Sequence, residues 1–97
     1  MTTNIGWQCF LEICLAAKDK KTLSGLFDVL ITHEERASIE TRCLIVQALL
    51  EQKISQRQIS EDLNVSISKI TRGSNELKRI SPQLKQYLLE NLKLNEN

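Results

Sequence analysis

Five side chains between residues 57 and 71 have the chemistry of a reader of nucleic acid: Arg57, Ile67, Ser68, Lys69 and Thr71. Arginine offers a planar fork of donors that fits the O6/N7 edge of guanine, and an isoleucine can touch a thymine methyl. Ser68, Lys69 and Thr71 are short or flexible hydrogen bonders suited to a groove. The charge is arranged to match. The net charge is only +1, yet residues 53–79 hold six cations (Lys53, Arg57, Lys69, Arg72, Lys78, Arg79) against three anions (Glu61, Asp62, Glu76). Residues 1–52 hold five against seven, and residues 80–97 two of each. Positive charge concentrated in one stretch is where a polyanion docks, although such runs also occur as plain solvated faces.

Other chemistries are poorly supplied. Cys9, Cys14, Cys43 and His33 could together give four metal ligands, but Cys9 and Cys14 diverge by roughly 140° around a helix. No metal site is expected, and the thiols read as buried and inert. An odd cysteine count without CxxC points to a reducing cytoplasm. No nucleophile–base pair, glycine-rich phosphate loop or paired-carboxylate motif is present, which argues against an enzyme. No apolar run approaches a membrane span, and residues 1–18 lack a basic leader, so no signal peptide is expected.

These residues must be held by helices. Gly 3 and Pro 1 leave too few turn-makers for a many-stranded fold, and with 4% aromatic residues the core must be Leu and Ile. Trp7, Phe10, Leu11, Cys14 and Leu15 form one amphipathic stripe, in which Trp7 reads as core. Leu23, Leu26, Phe27 and Leu30 form a second, short one. Thr32 stands three residues before Glu35, a capping box that opens a third helix running to about Gln52. Ile39, Cys43, Val46 and Leu50 hold one face of it, beside Arg42, Ile45 and Leu49; this helix reads as the longest and most apolar, the spine. His33 falls exposed in its first turn.

Ser55 and Gln58 form a second box, followed by a short helix burying Ile59 and Leu63. Asn64 suits a left-handed helix end, and Ser66 can cap the next helix, which turns Ile67, Ile70 and Leu77 inward. Ser81-Pro82 opens the last helix, striped by Leu84, Leu88 and Leu92, and residues 94–97 are expected to fray. The chain therefore reads as one all-α domain over 1–97, of six helices without linker or repeat.

Over about 55–79, two short helices meet across a tight turn, with Ser60 small where they approach and Val65, Ile67 and Ile70 between them. This is a helix-turn-helix, whose second helix enters the major groove; the bland alternative is a helical hairpin with a polar face. Gly73 sits inside that second helix, where glycine costs about 1 kcal/mol relative to alanine. It marks either a kink near the helix end or room for a ligand or phosphate at the backbone.

The run Ser55-Gln56-Arg57, the spacing to Ile67, and Thr71-Arg72-Gly73-Ser74-Asn75 followed by Leu77-Lys78 resemble the Trp repressor family. Thr32-His33-Glu34-Glu35-Arg36 with Thr41-Arg42 does so too, and the likeness covers about residues 7–92. The resemblance implies a cytoplasmic, bacterial, intertwined homodimer that binds L-tryptophan as corepressor, with no other cofactor and no membrane partner. It further implies repression at a palindromic operator in double-stranded DNA, controlling tryptophan biosynthesis or uptake genes.

By that resemblance Arg42 and Arg72 flank the indole, Thr32 and Arg72 meet the carboxylate, and the carbonyls of Val29 and Ile31 of the other chain accept from the ammonium. Gly73 lets the ligand lie against the helix, and Glu76 stands beside the ammonium. Bound ligand sets two recognition helices about 34 Å apart, a docking geometry known for helix-turn-helix dimers, the Trp repressor among them. Arg57, Ile67, Ser68 and Lys69 are implied at bases. Gln56, Thr71, Asn75 and Lys78, with Thr41 and Arg42, are implied at phosphates.

Two residues depart from the best-known members, which carry Thr at Lys69 and Ser at Glu76. Lys69 implies a changed operator preference or ligand-free affinity; Glu76 implies an ion pair with the ammonium or a changed ligand. The alternatives are a ligand-independent helix-turn-helix regulator and a helical protein-interaction module.

Overall fold

The computed structural model describes residues 4–92. Among them are six α-helices and no strand: α1 (Ile5–Ala16), α2 (Lys20–Leu30), α3 (His33–Glu51), α4 (Gln56–Leu63), α5 (Ile67–Leu77) and α6 (Pro82–Leu92). The expected fraying at residues 94–97 lies outside the described residues. The all-α class and the order of six helices are as the sequence predicts, and the chain divides after Arg36 into two compact units.

In the first unit, α2 begins where the Asp19 carboxylate accepts from the Thr22 backbone N–H at 2.7 Å. That bond, with the Thr22 hydroxyl, holds the Asp19 carboxyl below its usual range. Trp7 and Phe10 meet at a tilt with centroids 5.3 Å apart, and Phe10 stacks on Phe27 at 6.1 Å. No residue of α1 or α2 is fully buried. Trp7, expected in the core, is 59% exposed, because two helices alone cannot enclose an aromatic side chain. The capping box at Thr32 forms in both directions, Glu35 N–H to Thr32 Oγ1 at 3.1 Å and Thr32 N–H to Glu35 Oε1 at 2.8 Å.

The helix α3 is the longest, as expected, but α1 is the more apolar. Ile5–Ala16 carries Glu12 as its only charge, whereas α3 carries Glu34, Glu35, Arg36, Glu40, Arg42 and Glu51. Its buried face also differs. Ile45 is buried, with Ala48 and Leu49 packed beside it, while Ile39 and Cys43 are exposed. The thiols are not buried either: Cys9 and Cys43 are exposed and Cys14 is half-buried.

The second unit closes on Ile45, Ile59 and Ile70, one each from α3, α4 and α5, flanked by Leu63 and Val65. Gln52, in the left-handed region at φ 56°, ends α3. Ser55 Oγ accepts from the Gln58 N–H at 3.1 Å, but the Gln58 side chain donates forward to Asp62 at 2.7 Å, so the second box forms in one direction only. At the start of α6, Ser81 Oγ accepts from the Leu84 N–H at 3.1 Å. The far end of α6 is tied to α3 by Gln47 Nε2 donating to the Leu92 carbonyl at 3.1 Å.

Candidate nucleic-acid interface and ligand cavity

The turn between α4 and α5 is built from three residues. Asn64 takes the left-handed conformation (φ 55°, ψ 49°) that a side chain able to hydrogen-bond locally tolerates best. The Ser60 hydroxyl donates to the Val65 carbonyl, so a small residue here both admits the neighbouring helix and closes the turn. Ser66 precedes α5 without capping it; its hydroxyl lies 3.1 Å from that of Ser68 instead. Behind the turn Ile59 and Ile70 are almost wholly inaccessible and lock the two helices together.

The packing of α5 then fixes which side chains stand outward. Ile67, expected to pack inward, is 49% exposed, because Ile70 and Val65 already fill the space between the helices. Gln56, Arg57, Ser68, Lys69, Thr71, Asn75 and Lys78 are likewise exposed. Gln56 and Thr71 meet side chain to side chain at 3.5 Å, so α4 and α5 present one polar surface. Its free donors and lysines suit a groove and its phosphates.

On another side of α5 lies a cavity of about 690 Å³ within the second unit. Arg42, Arg72, Gly73 and Glu76, singled out in the sequence for ligand binding, all line it. Lys69 lines it as well, at the i, i+3, i+4, i+7 spacing with Arg72, Gly73 and Glu76, so it belongs to both surfaces of α5. Ile45, Val46, Leu77, Ile80 and Leu88 supply an apolar wall. Among the described residues Arg42, Lys69 and Arg72 make no ion pair, whereas Glu76 meets Arg79 at 3.4 Å.

Gly73 is not a kink, and its contacts give it a role that neither reading named, the close approach of two helices. The helix runs through it without a break, and a Cβ there would lie 3.2 Å from Ile45 Cγ2 and 3.4 Å from Leu49 Cδ1. It lets α3 and α5 come together at the cavity wall. Thr32, Val29 and Ile31 belong to the first unit. Thr32 uses its hydroxyl as the α3 cap; Val29 is 82% exposed; Ile31 ends α2, its N–H donating to the Phe27 carbonyl at 3.0 Å.

Sequence reasoning missed Ala37 and Ser38 in the cavity wall and placed Thr41 only at phosphate. The recurrence of small residues at 37, 38 and 41 on the same side of α3 as Arg42 and Ile45 was the available signal. Arg79 was also missed, though its spacing to Glu76 is that of a helical ion pair. Among the described residues no cluster of His, Cys, Asp and Glu suits a metal, and no helix is long and apolar enough to cross a membrane.

Comparison with known proteins covers most of the chain. A family model described as Trp repressor protein matches residues 5–92. A Trp operon repressor homolog of Chlamydia trachomatis serovar D is 45% identical over 83 residues, covering 86% of this chain and 88% of the relative. That of Chlamydia caviae is 46% identical over 83 residues, covering 86% and 82%. That of Mannheimia succiniciproducens is 38% identical over 91 residues, covering 94% and 90%.

Proposed function

The chain belongs to the Trp repressor family, and from that premise we propose that it is a transcriptional repressor that binds operator DNA when L-tryptophan fills the cavity beside α5. The observation that carries this reading is the convergence of Arg42 and Arg72 on one partly apolar cavity behind the outward surface of α4 and α5. Two guanidinium planes suit an indole laid between them, and one also serves a carboxylate. A volume of about 690 Å³ lies in the ordinary range for small-molecule sites.

In this mechanism Arg57, Ile67, Ser68 and Lys69 read base edges, while Gln56, Thr71, Asn75 and Lys78 hold phosphates. Thr32 adds a contact to the carboxylate, and the carbonyls of the partner's Val29 and Ile31 take the ammonium. A homodimer is supported by the apolar surface that one chain leaves uncovered: Ile5, Trp7, Leu11, Ile13 and Leu15 of α1, Val29 and Leu30 of α2, Ile39 and Leu44 of α3. Twofold symmetry then sets two α5 helices against successive turns of a palindrome.

The test is a calorimetric titration with L-tryptophan, followed by operator binding with and without it at several salt concentrations. Saturable binding at about one ligand per chain, as equivalent protomers require, and DNA affinity that rises with ligand are expected. Full operator binding without any amino acid would overturn the ligand-gated reading and favour a constitutive regulator that relies on Lys69. No sequence-specific DNA binding at any salt would overturn the repressor.

A further inference from the structure

The cavity has an uneven charge lining. Arg42, Lys69 and Arg72 are cationic, and among the described residues Glu76 is the only acid in its wall. A zwitterionic amino acid can place its carboxylate on any of three cations, but its ammonium has one side-chain anion to meet. That anion is already engaged: Arg79 Nη1 lies 3.4 Å from Glu76 Oε2, one helical turn on and outside the cavity wall. The side chains of the pair are 75% and 64% exposed, so water screens it and exchange of partners costs little.

Resting on the tryptophan-binding reading above, we propose that Glu76 reads the amino group of the ligand by exchanging partners, taking the ammonium in place of Arg79. The released guanidinium stands next to Lys78, at the end of α5 assigned to phosphate. Amine recognition thereby adds a free cation to the DNA-binding surface. By linkage, DNA that engages Arg79 strengthens the hold of Glu76 on the ammonium by the same factor. Where the family's best-known members hold a serine, which has no charge for an arginine to pair with, this exchange has no counterpart.

The experiment compares L-tryptophan with indole-3-propionate, which keeps the indole and carboxylate and lacks the amine, by calorimetry on the wild-type chain, Glu76→Gln and Arg79→Gln. Wild type should prefer tryptophan, and Glu76→Gln should shrink that preference. Arg79→Gln should tighten tryptophan roughly two- to four-fold, the scale of an exposed ion pair, and leave indole-3-propionate unchanged. Its effect should vanish in the double variant. Equal shifts for both ligands, or none, in Arg79→Gln would overturn the exchange while leaving the repressor reading intact. Absence of tryptophan binding by wild type would overturn both.

Discussion

Gly73 and Ile45 approach closely: a Cβ on Gly73 would stand 3.2 Å from Ile45 Cγ2. Ile45 is 4% exposed and anchors the core, so it has little room to give. The contact ties the wall of the cavity to the centre of the second unit. Gly73→Ala gains about 1 kcal/mol of helix propensity and meets overpacking of about 1–3 kcal/mol. A net loss near 1 kcal/mol in urea unfolding is expected. Ile45→Leu removes Cγ2, so a double-mutant cycle should show the alanine becoming tolerated. Additivity of the two changes would mean that the close approach is not what requires glycine.

The turn gives a second prediction. Asn64 is left-handed at φ 55°, where a Cβ without a local hydrogen bond is strained. Asn64→Ala should cost about 1 kcal/mol and Asn64→Gly almost nothing, measured by the same unfolding curves. Equal losses would show that the Asn64 side chain, and not its backbone, supports the turn.

What was legible in the sequence was mostly local. Asn64, Ser55, Ser81 and Thr32 act within four residues of themselves, so their caps and turns follow from side-chain chemistry and spacing alone. Ile59 and Ile70 emerged from helical periodicity. Two local expectations failed, the Ser66 cap and the return bond from Gln58, and the other failures depended on approach between helices. Ile39, Cys43 and Ile67 are apolar residues at helical spacing, yet they stand exposed while Ile45, Ile59 and Ile70 form the buried cluster. Gly73 was open to two readings, and neither anticipated the α3 side chain of Ile45 opposite it. Lys69 read as a groove residue and also lines the cavity, because one helix of eleven residues serves both surfaces.

Asp19 provides a pH dependence with a definite sign. Its carboxyl is held below the usual range by the Thr22 backbone N–H and then the Thr22 hydroxyl. A lowered folded-state pKa means that the stabilisation is present above the unfolded carboxylate value and is lost as pH falls through the folded one. Asp19→Asn keeps a capping oxygen that does not titrate. Its acid unfolding limb should be shallower than wild type, followed by circular dichroism during acid titration. An unchanged limb would remove the cap from the account of acid sensitivity.

Arg72 separates charge from shape in the cavity. Arg72 is exposed and outside the core, so Arg72→Lys should leave thermal unfolding nearly unchanged. A lysine keeps the cation and loses the planar face and paired donors, so tryptophan affinity should fall roughly ten-fold. Arg72→Ala should lose more. Tryptophan binding as tight in Arg72→Lys as in wild type would show that only charge is needed there.

Arg57 and Lys78 are both exposed and should fail differently. Arg57 is near the start of α4, where a guanidinium can reach a guanine edge; Lys78 follows α5 and can only meet phosphate in this reading. Arg57→Ala should therefore cost about 1–3 kcal/mol at operator DNA and little at random DNA. Lys78→Ala should weaken both alike and reduce the salt slope of binding by about 1. The measurement is a fluorescence-anisotropy titration of operator and scrambled duplexes across a salt series, with tryptophan saturating. Equal loss on both duplexes for Arg57→Ala would move Arg57 from the bases to the phosphates. A selective loss for Lys78→Ala would place base recognition at the far end of α5 instead.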